Sequence, residues 1–138
     1  MDNSLRSNEH IHQVYKLLHY TFGLVPIVAG LDKFTNLLTD WKSYLSATVQ
    51  SMLPFSASTF MYIVGVIEIV AGILVLIRPR IGAYVVMAWL VAIALNLVIS
   101  GHYFDVAVRD LVMAIGAFSL TRLAAVFSPE ASVNYAKA

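Results

Sequence analysis

The hydrophobic residues of the chain fall into four long runs that are separated by shorter polar segments. The runs cover residues 14–31, 58–77, 81–100 and 104–127. A helix needs roughly 20 mostly apolar residues to cross the hydrocarbon core of a bilayer. Each run is close to that length, so the pattern predicts four membrane-spanning helices that pack into an all-α transmembrane bundle.

The segment between the first two runs has a different pattern, in which apolar residues recur every three or four positions. These residues are Leu37, Leu38, Trp41, Tyr44, Leu45, Thr48, Val49 and Met52. Such spacing places them on one face of a helix. It predicts an amphipathic helix over residues 35–53 that lies in the outer membrane interface, with Trp41 and Tyr44 at headgroup level. The alternative is an ordinary helix outside the membrane that packs on the mouth of the bundle.

The composition indicates that lipid is the solvent of this chain. Of the 138 residues, 59% are hydrophobic and 12% are charged, whereas an ordinary soluble domain carries about 25% charged residues. The length predicts one membrane domain over residues 1–138. The net charge of +1 and the absence of a basic run predict that nucleic acid is not a partner.

The absence of cysteine excludes several redox mechanisms for the chain itself. Thiol–disulfide exchange, an iron–sulfur cluster on cysteine ligands and a covalently attached c-type haem all require cysteine. The histidines do not replace it, because His19 and His102 lie near opposite membrane faces and His10 and His12 are two residues apart. Neither haem nor metal is therefore expected.

Charge predicts the orientation of the bundle. Four crossings put both termini on the same side of the membrane as the Arg78–Arg80 turn. That side carries Arg6, Arg78, Arg80, Arg122 and Lys137, and the other side carries Lys33, Lys42 and Arg109. Positive charge in short loops favours the cytoplasm. The expected location is a bacterial inner membrane with both termini in the cytoplasm. Residues 1–13 lack the features of a cleaved signal peptide, so the first run is expected to be retained as a membrane helix.

Glu68 is the most informative residue, because it lies midway along the second run. An unpaired carboxylate at that depth costs several kcal/mol, so it must be protonated or paired with a donor on another helix. Gly65 and Gly72 lie on the same helix face and allow another helix to approach, so Glu68 is expected to point into the bundle. Two interpretations stay open, a proton-carrying or ligand-binding carboxylate and an interhelical connector. The other predicted packing glycines are Gly23, Gly30 and Gly116.

Several more polar residues gather at the predicted outer end of the bundle. Asp32 and Lys33 end the first run, and Asp105 and Arg109 have the spacing of a same-helix ion pair. The expected arrangement is a shared polar cavity in which Arg109 and Asp110 face Glu68 or Lys33. The candidate ligand or proton site comprises Glu68, Lys33, Asn96, His102, Arg109 and Asp110. The alternative is a solvated helix cap.

Four short motifs, in order along the chain, resemble those of DoxX-like membrane proteins. They are Gly30-Leu31-Asp32-Lys33-Phe34, the glycine-flanked Glu68 helix from Val64 to Leu74, the Arg78 and Arg80 turn, and Arg109-Asp110. The resemblance covers roughly residues 14–126 and implies a four-helix bundle. It also implies a link to quinone-dependent redox complexes, since some relatives are subunits of thiosulfate:quinone oxidoreductases. In that case Glu68, Arg109 and Asp110 would bind or protonate a quinone head group.

Three functional hypotheses follow. The first is a membrane subunit of a quinone-linked redox complex, with another membrane or redox protein as its partner. The second is a scaffold or assembly subunit in which Glu68 is a buried connector. The third is a carrier of protons or small molecules that uses the buried carboxylate. The residues leave open whether the chain has an enzymatic activity of its own.

Overall fold

The computed structural model describes the backbone of residues 3–127 and the side chains from Ser7 onward. Residues 1–2 and 128–138 lie outside the described part of the chain. The predicted contributions of the Arg6 and Lys137 side chains to the charge balance therefore lie outside it as well.

Residues 3–127 form helices and connecting segments, with no strand among them. The α-helices are α1 (Asn3–Asp32), α2 (Ala47–Met52), α3 (Ala57–Ile77), α4 (Pro79–Ser100) and α5 (Phe104–Phe127). Within this described part, α1, α3, α4 and α5 are long and apolar enough to cross a membrane. The predicted all-α fold with four transmembrane helices is confirmed, and the protein is an integral membrane protein.

Helix α1 begins at Asn3, eleven residues before the predicted span at residue 14. Its 30 residues correspond to about 45 Å at 1.5 Å per residue, which exceeds the roughly 30 Å hydrocarbon core. The polar residues 7–10 are exposed, so the first turns can extend the helix beyond the lipid. Hydropathy predicts the part of a helix that crosses the membrane, and here the helix continues past it.

The four long helices pack as two close pairs, and further contacts join the pairs to each other. The most extensive contacts are between α4 and α5 and between α1 and α3, and α3 and α4 also pack together. The rings of His12 in α1 and Phe127 in α5 lie 5.1 Å apart. The first turns of α1 and the last turn of α5 therefore lie at the same end of the bundle. We call this the turn end, because the Arg78–Pro79 connection also lies there. The opposite end, which carries residues 33–56 and 101–103, is the loop end.

Glycines set the close approach of α1 and α3. A Cβ atom on Gly30 would lie 2.5 Å from the carbonyl oxygen of Gly65, and one on Gly72 would lie 2.5 Å from the carbonyl oxygen of Gly23. Real Cβ atoms essentially never approach another atom that closely. Two glycine pairs, one above the other, therefore let the two backbones touch.

The segment between α1 and α3 differs from the predicted continuous helix over 35–53. It contains a 3₁₀ helix, Trp41–Tyr44, and the six-residue α2. The carboxylate of Asp32 accepts the backbone N–H groups of Leu37 and Leu38, both at 3.0 Å, so these donors are taken from a helical ladder. Ser46 then starts α2 by accepting the N–H of Val49 at 3.2 Å. The periodic apolar pattern is real, but side-chain capping divides it into two short helices.

The interior of the bundle has two apolar clusters with polar side chains between them. The cluster nearer the turn end contains Tyr15, Ala71, Val75, Ala83, Val86, Ala117, Leu120 and Ala124. The cluster nearer the loop end contains Ala94, Leu97 and Ala107. Along α3, α4 and α5, the residues Glu68, Trp89 and Asp110 fall between these clusters, and Lys33 reaches Glu68. We call Lys33, Glu68, Trp89 and Asp110 the polar layer.

Candidate functional site

The centre of the polar layer is an ion pair between Lys33 and Glu68. Lys33 follows the last residue of α1, and its Nζ lies 2.6 Å from Oε2 of Glu68 in α3. The two side chains are 5% and 9% exposed. Gly65 makes room for this contact, since a Cβ there would lie 3.2 Å from the Cβ of Lys33. The donor that the depth of Glu68 requires is therefore the lysine at the end of α1.

Trp89 engages the second oxygen of the same carboxylate. Its indole Nε1 donates a hydrogen bond of 3.1 Å to Oε1 of Glu68. Both oxygens of Glu68 thus have donors, and the carboxylate connects the end of α1 to α3 and α4. Trp89 was not among the predicted site residues, because a tryptophan inside an apolar run is usually a core-packing residue. The signal that could have found it is that a buried indole N–H needs an acceptor.

Trp41 covers the loop end of this ion pair. The Nζ of Lys33 lies 3.8 Å from the centre of the Trp41 ring, a favourable cation–π distance. The indole Nε1 of Trp41 donates to Oδ2 of Asp32 at 2.8 Å. Trp41 thus packs on Lys33 and binds Asp32, and its predicted position at headgroup level stays a prediction.

Asn96 holds the covering loop in place from α4. Its Nδ2 donates to the carbonyl oxygen of Tyr44 at 2.9 Å, and its Oδ1 accepts the N–H of Ser46 at 3.2 Å. The ring of Tyr44 packs against that of Tyr103 with centroids 4.5 Å apart. Asn96 therefore has a clear contact in the structure, which is with the loop and not with Glu68.

Asp110 is buried in α5, with 7% of its surface exposed. It lies on the same helical face as other buried residues of α5, namely Ala107, Ala114, Ala117, Thr121 and Ala124. It interacts electrostatically with Glu68 across the bundle. Among residues 3–127, however, no side chain or backbone group forms a hydrogen bond or ion pair with its carboxyl group. Asp110 is therefore the one member of the polar layer that has no partner in the described part of the chain.

Arg109 and His102 lie away from the polar layer, contrary to the expected shared cavity. Arg109 is 72% exposed and pairs with Asp105 on its own helix at 3.5 Å. His102 is exposed in the turn before α5. Adjacent residues on a helix point about 100° apart, and the rotation of α5 turns Asp110 inward and Arg109 outward. The spacing of the buried α5 residues could have identified Asp110 as the inward one.

The histidines and acids of the described residues do not gather into a metal site. No group of three or more histidine, cysteine, aspartate or glutamate side chains is placed to hold a metal ion in residues 3–127. His19, which lies in α1, has a different contact. Its Nε2 lies 2.9 Å from the carbonyl oxygen of Val75 and 3.2 Å from that of Leu76, at the end of α3 where helical carbonyl groups lack partners.

A comparison with protein-family models identifies the family of this chain. The family model described as methylamine utilisation protein MauE matches residues 11–109, which is more than half of the chain. The chain belongs to the MauE family. No curated protein and no solved structure matches it. The range that matches the MauE model contains Lys33, Glu68 and Trp89, and ends one residue before Asp110.

The resemblance to DoxX-like proteins is therefore wrong at the level of the family. MauE and DoxX are different families of membrane proteins, and the model that matches is MauE. The four motifs behind the resemblance are short, and they consist of glycines, apolar residues and one or two charged residues. Such residues recur in transmembrane helices for packing reasons alone, so their order along the chain indicates a four-helix bundle without identifying its family.

Proposed function

We propose that this chain is an accessory membrane protein of a redox system, in which a partner protein carries the redox group. The description of the MauE family names methylamine utilisation, and use of methylamine by a cell requires oxidation of its carbon. The chain has no cysteine of its own. A role that supports a redox partner agrees with both observations.

The observation that carries this proposal is that donors of the protein itself engage both oxygens of Glu68. One of its oxygens accepts from Lys33 and the other from Trp89, and the Trp41 ring covers the lysine. The buried ion pair with Lys33 already neutralises the charge of Glu68, so a ligand would have to compete with a contact inside the protein. This supports the interpretation of Glu68 as an interhelical connector, as expected for an accessory subunit.

A bound quinone stays a prediction. A quinone head group needs hydrogen-bond donors, and the two donors nearest Glu68 are already engaged. An open groove of about 350 Å³ lies between α4 and α5, lined by Met87, Val91, Leu111, Ala114, Ile115 and Phe118. These six side chains offer no donor. Quinone analysis of the protein extracted from native membranes tests the prediction.

The proposed function is tested by removing the chain from its native host. We expect the membranes to lose the redox activity that the chain supports, and the parent sequence to restore it. Gly30→Leu, which obstructs the α1–α3 contact, should fail to restore it, whereas Leu37→Ala, at a position that is 85% exposed, should succeed. Unchanged redox activity of the deletion host, or catalysis of the reaction by the purified chain alone, would contradict the proposal.

A further inference from the structure

The polar layer contains one buried carboxyl group that its own protein leaves without a partner. Asp110 is 7% exposed and makes no hydrogen bond or ion pair with any described residue. The apolar clusters lie on both sides of it along the bundle axis. An ionised carboxylate in such surroundings is strongly unfavourable unless a positive charge accompanies it.

The charges of the polar layer do not balance. Lys33 supplies one positive charge, whereas Glu68 and Asp110 are two carboxyl groups that interact with each other. The lysine lies 2.6 Å from Glu68 and is committed to it. With both acids ionised, the layer would carry one uncompensated negative charge inside a membrane bundle.

The elements around Asp110 bring no second cation. Helix α4 has no charged side chain after Arg80, and α3 brings only Glu68. On α5 itself, Asp105 and Arg109 form an exposed pair. At the loop end, the Asp32 carboxylate is occupied by four donors of its own loop: Thr35 Oγ1, the N–H groups of Leu37 and Leu38, and Trp41 Nε1. On α1, the rings of His12, Tyr15 and His19 lie in the aromatic stack at the turn end. Lys16 on α1 and Arg122 on α5 are exposed.

We propose that Asp110 is the point at which the polar layer binds one positive charge, either a proton or a small monovalent cation. Glu68 does not serve this role, because the buried ion pair with Lys33 already compensates its charge. The candidate for reversible binding is therefore Asp110 on α5 and not Glu68 on α3.

Trp89 provides a reporter inside the layer. The chain has two tryptophans, so Trp41→Phe leaves Trp89 as the only one and keeps an aromatic ring beside Lys33. Because the indole N–H of Trp89 binds Glu68, a change of charge at Asp110 should alter its emission. The experiment titrates this emission with pH, and then with sodium, potassium, ammonium and methylammonium chloride at fixed pH. The chloride of the bulky cation N-methylglucamine controls for ionic strength.

We expect the Trp89 emission to shift with pH or cation concentration along a saturable one-site curve. Asp110→Asn should abolish this shift. Asp105→Asn, which removes an exposed acid from the same helix, should leave the shift intact. A response to pH alone identifies the proton, and a response to small cations but not to N-methylglucamine identifies a bound cation. Absence of both responses, or an equal response in Asp110→Asn, overturns the proposal.

A second measurement does not depend on the folding of any variant. Infrared difference spectroscopy of the unmodified protein should show the C=O band of a protonated carboxylic acid that disappears as the pH is raised, or carboxylate bands that change when a small cation is added. If neither change occurs over the range in which the protein stays folded, the proposal is overturned even when the Asp110 variant cannot be purified.

Discussion

Within the polar layer, a contact between two single residues links the end of α1 to α3. Lys33 and Glu68 are both buried and within 2.6 Å of each other. Breaking a buried pair by removing one partner leaves an uncompensated charge, whereas removing both leaves only apolar surface. This asymmetry distinguishes a connector from two independent polar residues.

The asymmetry predicts a strong coupling between Lys33 and Glu68. Lys33→Leu and Glu68→Leu should each lower the free energy of unfolding by roughly 3–5 kcal/mol, because each leaves one buried charge without its partner. The double variant should be less destabilised than the sum of the two. Thermal or denaturant unfolding in mild detergent, followed by circular dichroism, measures the cycle. The Asp105 and Arg109 pair, which is exposed, is the matched control and should show little coupling. Strict additivity at Lys33 and Glu68 would show that the ion pair does not connect the helices.

Asp32 is predicted to order the loop that covers the polar layer. Asp32→Asn replaces one acceptor oxygen with a donor, so some of the four hydrogen bonds to the carboxylate are lost. Hydrogen exchange of residues 35–46 should become faster. Asp40→Asn is the control, since Asp40 is exposed and its side chain does not cap the following 3₁₀ helix. Equal exchange rates in the two variants would count against the role of Asp32.

At the scale of whole elements, backbone contact at glycines fixes the α1–α3 pair, and side-chain capping shapes the loop. The apolar runs predicted the helices because their length and hydropathy are local properties. The division of residues 35–53 depends on Asp32, five and six residues before the groups it binds, and on Asn96, which is 50 residues away from Ser46. The local spacing of apolar residues does not predict such contacts.

The glycine contacts predict unequal effects of the same substitution. Gly30→Ala should lower the free energy of unfolding by roughly 1–3 kcal/mol, because overpacking here meets the rigid backbone of α3. At Gly116 a new Cβ would lie 3.0 Å from Cζ of the Phe22 side chain, which can shift, so Gly116→Ala should cost less. Thermal unfolding of the two variants in the same detergent measures the difference. A Gly116 variant as unstable as the Gly30 variant would contradict the packing account.

For the whole molecule, four spans place both ends of the described chain, residues 3 and 127, on the same side of the membrane. The number of spans and the depth of Glu68 could be predicted from the sequence. The partners of Glu68 could not, because pairing Lys33 and Trp89 with it requires the mutual rotation of three helices. The outward position of Arg109 is a different case, because alanines at three- and four-residue spacing on α5 share the helical face of Asp110.

Orientation stays a prediction from charge and has a direct test. The absence of native cysteine allows single cysteines to be introduced without background. Leu37→Cys at the loop end should react with a membrane-impermeant maleimide on intact cells or spheroplasts, whereas Ser128→Cys, immediately after α5, should react only after the membrane is opened. The reverse pattern of labelling would place both termini outside the cytoplasm.

We propose that this MauE-family chain supports a redox partner and does not itself perform the redox reaction. The most direct measurement is to extract a tagged chain from native membranes in mild detergent and to identify bound proteins and lipids by mass spectrometry, with an untagged host as the control. We expect enrichment of a protein that carries a redox group. The activity of that protein should be lost when the chain is deleted. Recovery of the chain alone, with the redox activity of the remaining membranes intact, would contradict it.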